Sequence, residues 1–599
     1  MKKQRRLVWL SVNSSYSHSS LALPLLHAAC GGIAGWEWSA LETTVEADSA
    51  ETALELAERN PDLLCATLYL FNRNVVLEIL ERFHVLLPEC HIAVGGPECL
   101  GEGADEVLQK YPFVGTVFRG EGEGVMPEFL MNFSSRSERS VIPTHGNAVF
   151  EEWESASVPM EDPFFRVDKP FVQMETSRGC PMGCCYCTSC HTKVRYKSMD
   201  SIRRELSLLR SRGVSEIRLL DRTFNFPPER GTELLRIFRT EFPELRFHLE
   251  IHPRFLSDSL RMELRSANPE QLHIEAGIQS LDGIVQKEIG RSGEPEEALE
   301  GLRFLCRCPN FETHADLLAG LPGQTAESLF RDVATLMDAG PAEIQLEVLK
   351  VLPGTPLRIR AEELGIVYAP RTPYDVMKTE TMSGKEILRI RLLSRLLDLT
   401  YNHPALHPVI RSARAENPDF LHSLLDFFLR NGLNLNRLFD LKKRFLILSD
   451  FFSQNEKTRF ELSLQWILAG YPAGTGPGAL AEKTNDIPST AVLLSGDPAA
   501  RGERETKYLL LRRPQNTIYF AFNRKYAFNR PAAVWRNQQN NTEKCVSIFL
   551  GSRTLSLSRS SGETLVVRST KLLLINKKNA RGANRFEKRF FSPRAPLFP

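Results

Sequence analysis

The chain has 599 residues, 42% hydrophobic and 25% charged, an ordinary globular composition with material for roughly three or four domains. No run of ~18 apolar residues occurs, so no membrane-spanning helix is expected. The opening "MKKQRRLVWLSVNSS" has an apolar run too short for a secretory signal, so a cytoplasmic protein is expected. The net charge of +2 hides a division. Residues 501–599 hold 21 Lys+Arg against 5 Asp+Glu, leaving 54 against 68 of the totals of 75 and 73 for residues 1–500.

Strands and helices alternate over the first ~130 residues. Arg6–Val12, Trp36–Val45, Leu63–Asn72, His91–Glu98 and Gly115–Glu123 read as strands, and "LALPLLHAAC", "SAETALELAERN" and "VVLEILERFHVLL" as helices. Short apolar strands in this rhythm predict a doubly wound parallel α/β sheet over residues 1–133, with ligands at the strands' carboxyl ends. Those ends read "NSSYSHSS", "YLFNRN", "GGPE" and "GEGEG", small and polar. Residues 134–167 are Ser/Pro-rich and charged, the composition of a linker.

The alternation resumes over 168–382. Phe171–Ser177, Glu216–Asp221, Phe247–Ile251, Leu272–Ile278, Thr313–Gly320 and Ile344–Val351 are candidate strands. "SMDSIRRELSLLRSRG" is a helix with Ser198 as its N-cap and Gly213 as its stop. Six βα units predict a partial (β/α)6 barrel, with chemistry where strands end. Residues 383–470 read as all-helical. Residues 471–599 read as a linker and an irregular basic tail, poorly ordered or touching an anionic surface, with β-like segments that assemble into no evident core.

Immediately after the first barrel strand comes "SRGCPMGCCYCTSCH", Ser177 to His191, with five of the twelve cysteines. Disulfides fit poorly, because adjacent Cys184 and Cys185 cannot pair without strain and the compartment reads as reducing. Structural zinc normally takes two ligand pairs a dozen or more residues apart, and only Cys306-x-Cys308 offers a distant second pair. Cys180-x3-Cys184-x2-Cys187 lets three thiolates close on one point, with Gly179 and Gly183 for tight turns. That arrangement suits a cubane iron–sulfur cluster with one iron left open. Cys185 and Cys190 are then bystanders.

At Cys180-x3-Cys184-x-Tyr186-Cys187 the chain resembles radical S-adenosylmethionine (radical SAM) enzymes. "LLDRTFN", "LEIHP", "IEAGIQS", "IGRSG" and "DLLAGLPGQT" follow in the superfamily's order. The resemblance implies that Cys180, Cys184 and Cys187 hold a 4Fe-4S cluster whose free iron chelates S-adenosylmethionine, cleaved on reduction to a 5′-deoxyadenosyl radical. It also implies cofactor contacts from Tyr186, from Asp221 (the amino group), from Glu250 and Gln279 with neighbouring Ser280 (the ribose side), and from Arg291 (the carboxylate). A reductant such as flavodoxin or ferredoxin is the implied partner. In the competing reading, Asp221 caps the helix near Pro227, Glu250 and Glu275 sit in inward salt bridges, and Arg291 is a solvated helix end.

The first domain resembles the cobalamin-binding domain preceding the radical module in one branch of the superfamily. Gly95, Gly96 and Glu121, from "GGPE" and "FRGEGEG", would then lie against cobalamin. The branch's Asp-x-His-x-x-Gly reads here as "YSHSSL", with Tyr16 for Asp and Leu21 for Gly. His18 is accordingly read as a loop histidine and not a cobalt ligand. The segment after Ser383 resembles an uncharacterised domain found C-terminal to these two modules. The expectation is thus a radical SAM enzyme with cobalamin-assisted modification, such as methylation, of an unassigned substrate. Its rivals are a radical SAM enzyme with a vestigial cobalamin domain, and a zinc-stapled scaffold whose basic tail holds nucleic acid.

Overall fold

Parallel strands buried on both faces must be apolar throughout, and that rule shapes the first half of the molecule. The computed structural model describes residues 4–134, 138–153, 159–291 and 293–469, residue 471, and short segments between 476 and 555. Strands β1 (Arg5–Asn13), β2 (Trp36–Thr44), β3 (Leu63–Thr67), β4 (His91–Gly95), β5 (Thr116–Phe118) and β6 (Ser140–Ile142) form a parallel sheet ordered β2-β1-β3-β4-β5-β6. Alternate residues of β1 feed two cores. Val8, Leu10 and Val12 pack with Leu56 and Leu80 of helices Ser49–Glu58 and Arg73–Leu86. Leu7 and Trp9 pack with Leu23 and Met126 of helices Ala22–Cys30 and Met126–Met131. Helices on both faces make the sheet doubly wound.

Several predicted boundaries move, with His91–Glu98 shortened to His91–Gly95 and Gly115–Glu123 to Thr116–Phe118. The third strand ends at Thr67 instead of Asn72, because the buried Asn72 amide donates to Val12 O at 3.0 Å and Thr67 O at 3.1 Å while its oxygen accepts from Tyr69 N. Within the stretch read as a linker, β6 pairs in parallel with β5, Thr116 opposite Ser140. Three residues on a sheet edge carry no periodicity for a sequence to display.

The second sheet follows: β7 (Val172–Met174), the short antiparallel pair β8 (Ser177–Arg178) and β9 (Arg195–Tyr196), then β10 (Glu216–Leu219), β11 (Arg246–Ile251), β12 (Leu272–Gln279), β13 (Glu312–Ala319) and β14 (Glu343–Val348). Its order is β14-β13-β12-β11-β10-β7, each strand beside its successor, as a partial barrel requires. Leu249, Ile251, Ile274, Ala276 and Ile278 are buried, whereas Glu250, Glu275, Gly277 and Gln279 alternate with them on the half-buried face. The helix Met199–Ser211 begins where Ser198 accepts from Ser201 N and is followed by Gly213 at φ +80°.

Helices Gly384–Leu399, His407–Glu416, Phe420–Arg430, Leu441–Phe451 and Glu456–Leu468 fall in the all-helical stretch. Leu424, Leu425, Phe445, Leu448 and Trp466 are buried there, with the Phe445 ring edge-on to Trp466 at 5.6 Å. Beyond residue 471, Ala481–Thr484, Thr506–Arg513, Asn516–Asn523, Ala533–Asn537 and Ala491–Gly496 pair antiparallel in that order. The segments "KYLLLRR" and "NTIYFAF" are two of these neighbours. Residues 556–599 and most of the linker between 470 and 480 lie outside the described residues. No helix among the described residues is long and apolar enough to cross a membrane.

Candidate active site

The cysteine loop is held by its own turns and by two distant loops. Gly179 follows β8 at φ +93°, where a side chain would collide with Lys193 O. Cys180 N–H donates to Thr192 Oγ1 at 3.0 Å, Cys187 N–H to Cys184 O at 3.0 Å and Cys190 N–H to Cys187 O at 3.1 Å. Cys185 N–H donates to Ile289 O at 2.9 Å, and Cys185 O accepts from Leu357 N at the same distance. Gly183 meets Gly290 backbone to backbone, so closely that a Cβ on Gly290 would collide with Gly183 O.

Cys180, Cys184 and half-buried Cys187 cluster with Met182, Tyr186 and Phe255. Each sulfur has a polar neighbour. Thr223 Oγ1 lies 3.6 Å from Cys180 Sγ, Ser189 N–H donates to Cys187 Sγ at 3.4 Å, and Arg291 Nη1 donates to Cys184 Sγ at 3.8 Å. Burial raises the Cys187 thiol while Arg222 opposes the shift. Burial also pushes Cys185 up to about 11 and raises the Tyr186 hydroxyl. No cysteine among the described residues forms a disulfide. Donors and cations around three thiols are what an anionic iron–sulfur cluster uses to set its potential, so the residues fit that group.

The remaining predicted residues separate into engaged and open. Asp221, buried after β10, accepts from Thr176 N at 2.7 Å, from Thr176 Oγ1 and from Ser177 Oγ at 2.8 Å. It therefore braces the strand leading into the cysteines and does not cap the helix starting at Pro228. Burial raises its carboxyl against those hydrogen bonds. Buried Ser280 donates to Asp332 Oδ2 at 3.1 Å and accepts from Asp282 N. Arg291, only 9% exposed, is no solvated helix end, and it also donates to Gly277 O. Gln279 sits at φ +69° beside a bulge in β12. Glu275 takes the inward pairing, with His248 Nε2 at 3.1 Å.

Glu250 is different. Its backbone carbonyl accepts from Phe224 N, but its half-buried carboxyl has no ion-pair or hydrogen-bond partner among the described residues. Burial pushes it up to about 7, with Arg222 lowering it and Glu275 and Asp221 raising it. Arg222, overlooked in the sequence, thus acts electrostatically on both Cys187 and Glu250. Its signal was its place inside "LLDRTFN".

At the first sheet, the glycine-rich ends face this loop. Gly96 has φ +102°, and a Cβ there would lie 2.6 Å from Thr67 Cγ2; one on Gly95 would lie 3.2 Å from Phe118 Cβ. Glu121 pairs with Arg195 of β9, lies 3.6 Å from Arg178 of β8 and accepts from Phe150 N at 2.7 Å. Arg178 also holds Glu123 and Glu175, each at 2.8 Å, over the Trp153 ring. The Glu121 carboxylate is thereby spent between the two sheets. Glu98 of "GGPE" is likewise spent, on Arg73 at 2.9 Å and the Tyr374 hydroxyl at 2.9 Å. His18 bonds Ser15 Oγ at 2.8 Å and stands edge-on to Phe171 at 5.0 Å. Burial, with Arg218 and Lys169, pushes it down to about 4 and keeps it neutral.

The three-cysteine loop follows the first strand of a six-stranded partial barrel, itself preceded by a doubly wound sheet. Residues 174–336 match the Radical SAM superfamily, and residues 362–469 match a protein family of unknown function, DUF4080. The cobalamin-dependent radical SAM methyltransferase TokK of Streptomyces tokunonensis is 23% identical over 349 residues, 52% of this chain and 51% of TokK. A tRNA-2-methylthio-N(6)-dimethylallyladenosine synthase of Clostridium tetani (strain Massachusetts / E88) is 26% identical over 252 residues, 40% of this chain and 54% of the synthase. The chain thus spans about half the length of these relatives. Among solved structures, the cobalamin-dependent S-adenosylmethionine radical enzyme OxsB with aqua-cobalamin bound shares the fold at a TM-score of 0.53 and 13% identity. That match covers 78% of this chain and 79% of OxsB. The radical S-adenosylmethionine methyltransferase TsrM from Kitasatospora setae gives 0.51 at 19% identity, covering 62% and 79%.

Proposed function

We propose that this protein is a radical SAM enzyme that uses cobalamin to modify, by methyl transfer in the reading its relatives support, a substrate not yet assigned. The observation that carries the proposal is the trio Cys180, Cys184 and Cys187 with Arg291 3.8 Å from one sulfur, inside the segment that matches the superfamily. Cys180, Cys184 and Cys187 would hold a 4Fe-4S cluster, which, when bound and reduced by a partner such as flavodoxin or ferredoxin, would supply the electron for reductive cleavage of S-adenosylmethionine.

The chain's own residues do the positioning. Asp221 fixes the end of β7, so that the loop leaves the sheet in one direction. Arg291 sets positive charge beside the sulfurs, where it also meets the carboxylate of an amino acid. Glu250 and Arg222 offer an acceptor and a donor to the polar groups of a nucleoside. Gly95 and Gly96 keep the first sheet's edge flat enough for a corrin to approach. His18, with Nδ1 on Ser15 Oγ and its ring edge-on to Phe171, is read as a loop histidine and not as a cobalt ligand.

Anaerobic reconstitution tests the reading. Iron and sulfide near four per chain and reductant-dependent 5′-deoxyadenosine or methyl turnover are expected; stoichiometric zinc with no cluster would refute it. A second reading, in which the first domain only shapes access, draws on the committed state of Glu121 and His18. Cobalt analysis after growth with cobalamin separates the two.

A further inference from the structure

The amino-terminal half of the barrel strands carries a second cluster that the cysteine chemistry does not use. His273 of β12 and Glu312 and His314 of β13 each offer one ligand atom, and these atoms all lie within 4.8 Å of one another. Register explains the convergence. His273 stands opposite Glu312 and Glu275 opposite His314, so the two imidazoles come diagonally from neighbouring strands. Their ring centroids are 4.2 Å apart at 83°. A further layer backs them: His248 of β11 stacks on His273 at 4.8 Å and pairs with Glu275 at 3.1 Å.

We propose that His273, Glu312 and His314 form a binding site for one divalent late first-row transition ion of the Zn²⁺ type, clamping β12 to β13. Two imidazole nitrogens and one carboxylate make a borderline donor set, which suits zinc at bonds of about 2.0–2.2 Å. Magnesium and calcium prefer all-oxygen cages, so they fit less well. Three protein ligands leave a fourth position for water. Glu312 is exposed and both histidines half-buried, which gives the ion a path in. Gln279 lies six positions along β12 from His273, about 20 Å of strand, so the ion sits at the opposite end of the barrel strands from the cysteine loop. Binding to the folded state alone would stabilise it by mass action.

The test uses the full-length chain carrying Cys180→Ala, Cys184→Ala and Cys187→Ala, which removes the three cluster thiols and separates the outcome from the cluster reading. After chelator stripping, Zn²⁺ is titrated against a chromophoric competitor, and Co²⁺ binding is followed by visible absorption. One tight Zn²⁺ per chain, tetrahedral cobalt bands and a zinc-dependent rise in melting temperature are expected. His273→Ala and His314→Ala should each weaken binding at least ~10-fold, the least that supporting residues around a metal ligand cost. Glu312→Gln, at an exposed position that leaves folding intact, should do the same. Zinc binding unchanged in His314→Ala and Glu312→Gln, or no zinc bound by the parent, overturns the proposal.

Discussion

The cysteine loop and the glycine-rich turns facing it are both motif-dense, yet their polar groups are in opposite states. Around the sulfurs, Arg222 and the Glu250 carboxyl have no ion-pair partner among the described residues, and donors point at thiols. In the turns, the acids are taken: Glu98 by Arg73 and Tyr374, Glu121 by Arg195, Glu123 by Arg178. A buried charge left without its partner is costly, and under the proposed function Glu250 is kept for a ligand. A paired acid serves architecture. On that reading the contrast divides the recognisable motifs into those that do chemistry and those that set the spacing between two sheets.

Substitutions on the two sides should separate accordingly. The largest effect is Cys184→Ala, expected to abolish cluster assembly and S-adenosylmethionine cleavage, read as iron and sulfide per chain and 5′-deoxyadenosine formed; retained cleavage would remove Cys184 from the chemical side. Next, Arg73→Met strands the Glu98 carboxylate, with side chains 5% and 2% exposed, and should cost about 3–5 kcal/mol in denaturant unfolding. If the turns are architectural, affinity for S-adenosylmethionine stays unchanged in the folded variant.

Glu250 gives a smaller, pH-dependent signature. Its carboxyl is raised from 4.5 to about 7, so the folded chain binds the proton more tightly than the unfolded chain. The stability this contributes is complete below pH ~4.5 and is lost as pH rises through about 7. Glu250→Gln should therefore stabilise the cluster-free protein on the order of 2 kcal/mol at pH 8 and leave it nearly unchanged at pH 4.5, compared by melting at both values. Equal effects at both pH values would show that the carboxyl has a partner after all. The smallest change is expected for Glu121→Gln, about 1 kcal/mol in unfolding, because that pair is partly solvated.

Much of the fold could be read beforehand because buried parallel strands leave an unbroken apolar signature: all five residues of Leu63–Thr67 are buried. The edge strand Ser140–Ile142 and the pair Ser177–Arg178 with Arg195–Tyr196 were invisible, since two or three residues hold no period. At the site, cysteine spacing is a local property and was legible. The brace from Asp221 to Thr176 and Ser177 spans 44–45 positions, and the His273–Glu312–His314 cluster depends on strand register. Neither can be written in a local pattern. The same holds for Glu121, where the motif was visible but not the arginine that consumes it.

The contact of Gly183 with Gly290 has an evolutionary corollary. Gly290 cannot acquire a side chain there without its loop parting from the cysteine loop, so a change at Gly290 must be answered in the cysteine loop. Grafting the cysteine spacing alone into a foreign barrel would import sulfur without the guanidinium that the second loop delivers. The transplantable unit is the seam between two loops, not the motif on one of them.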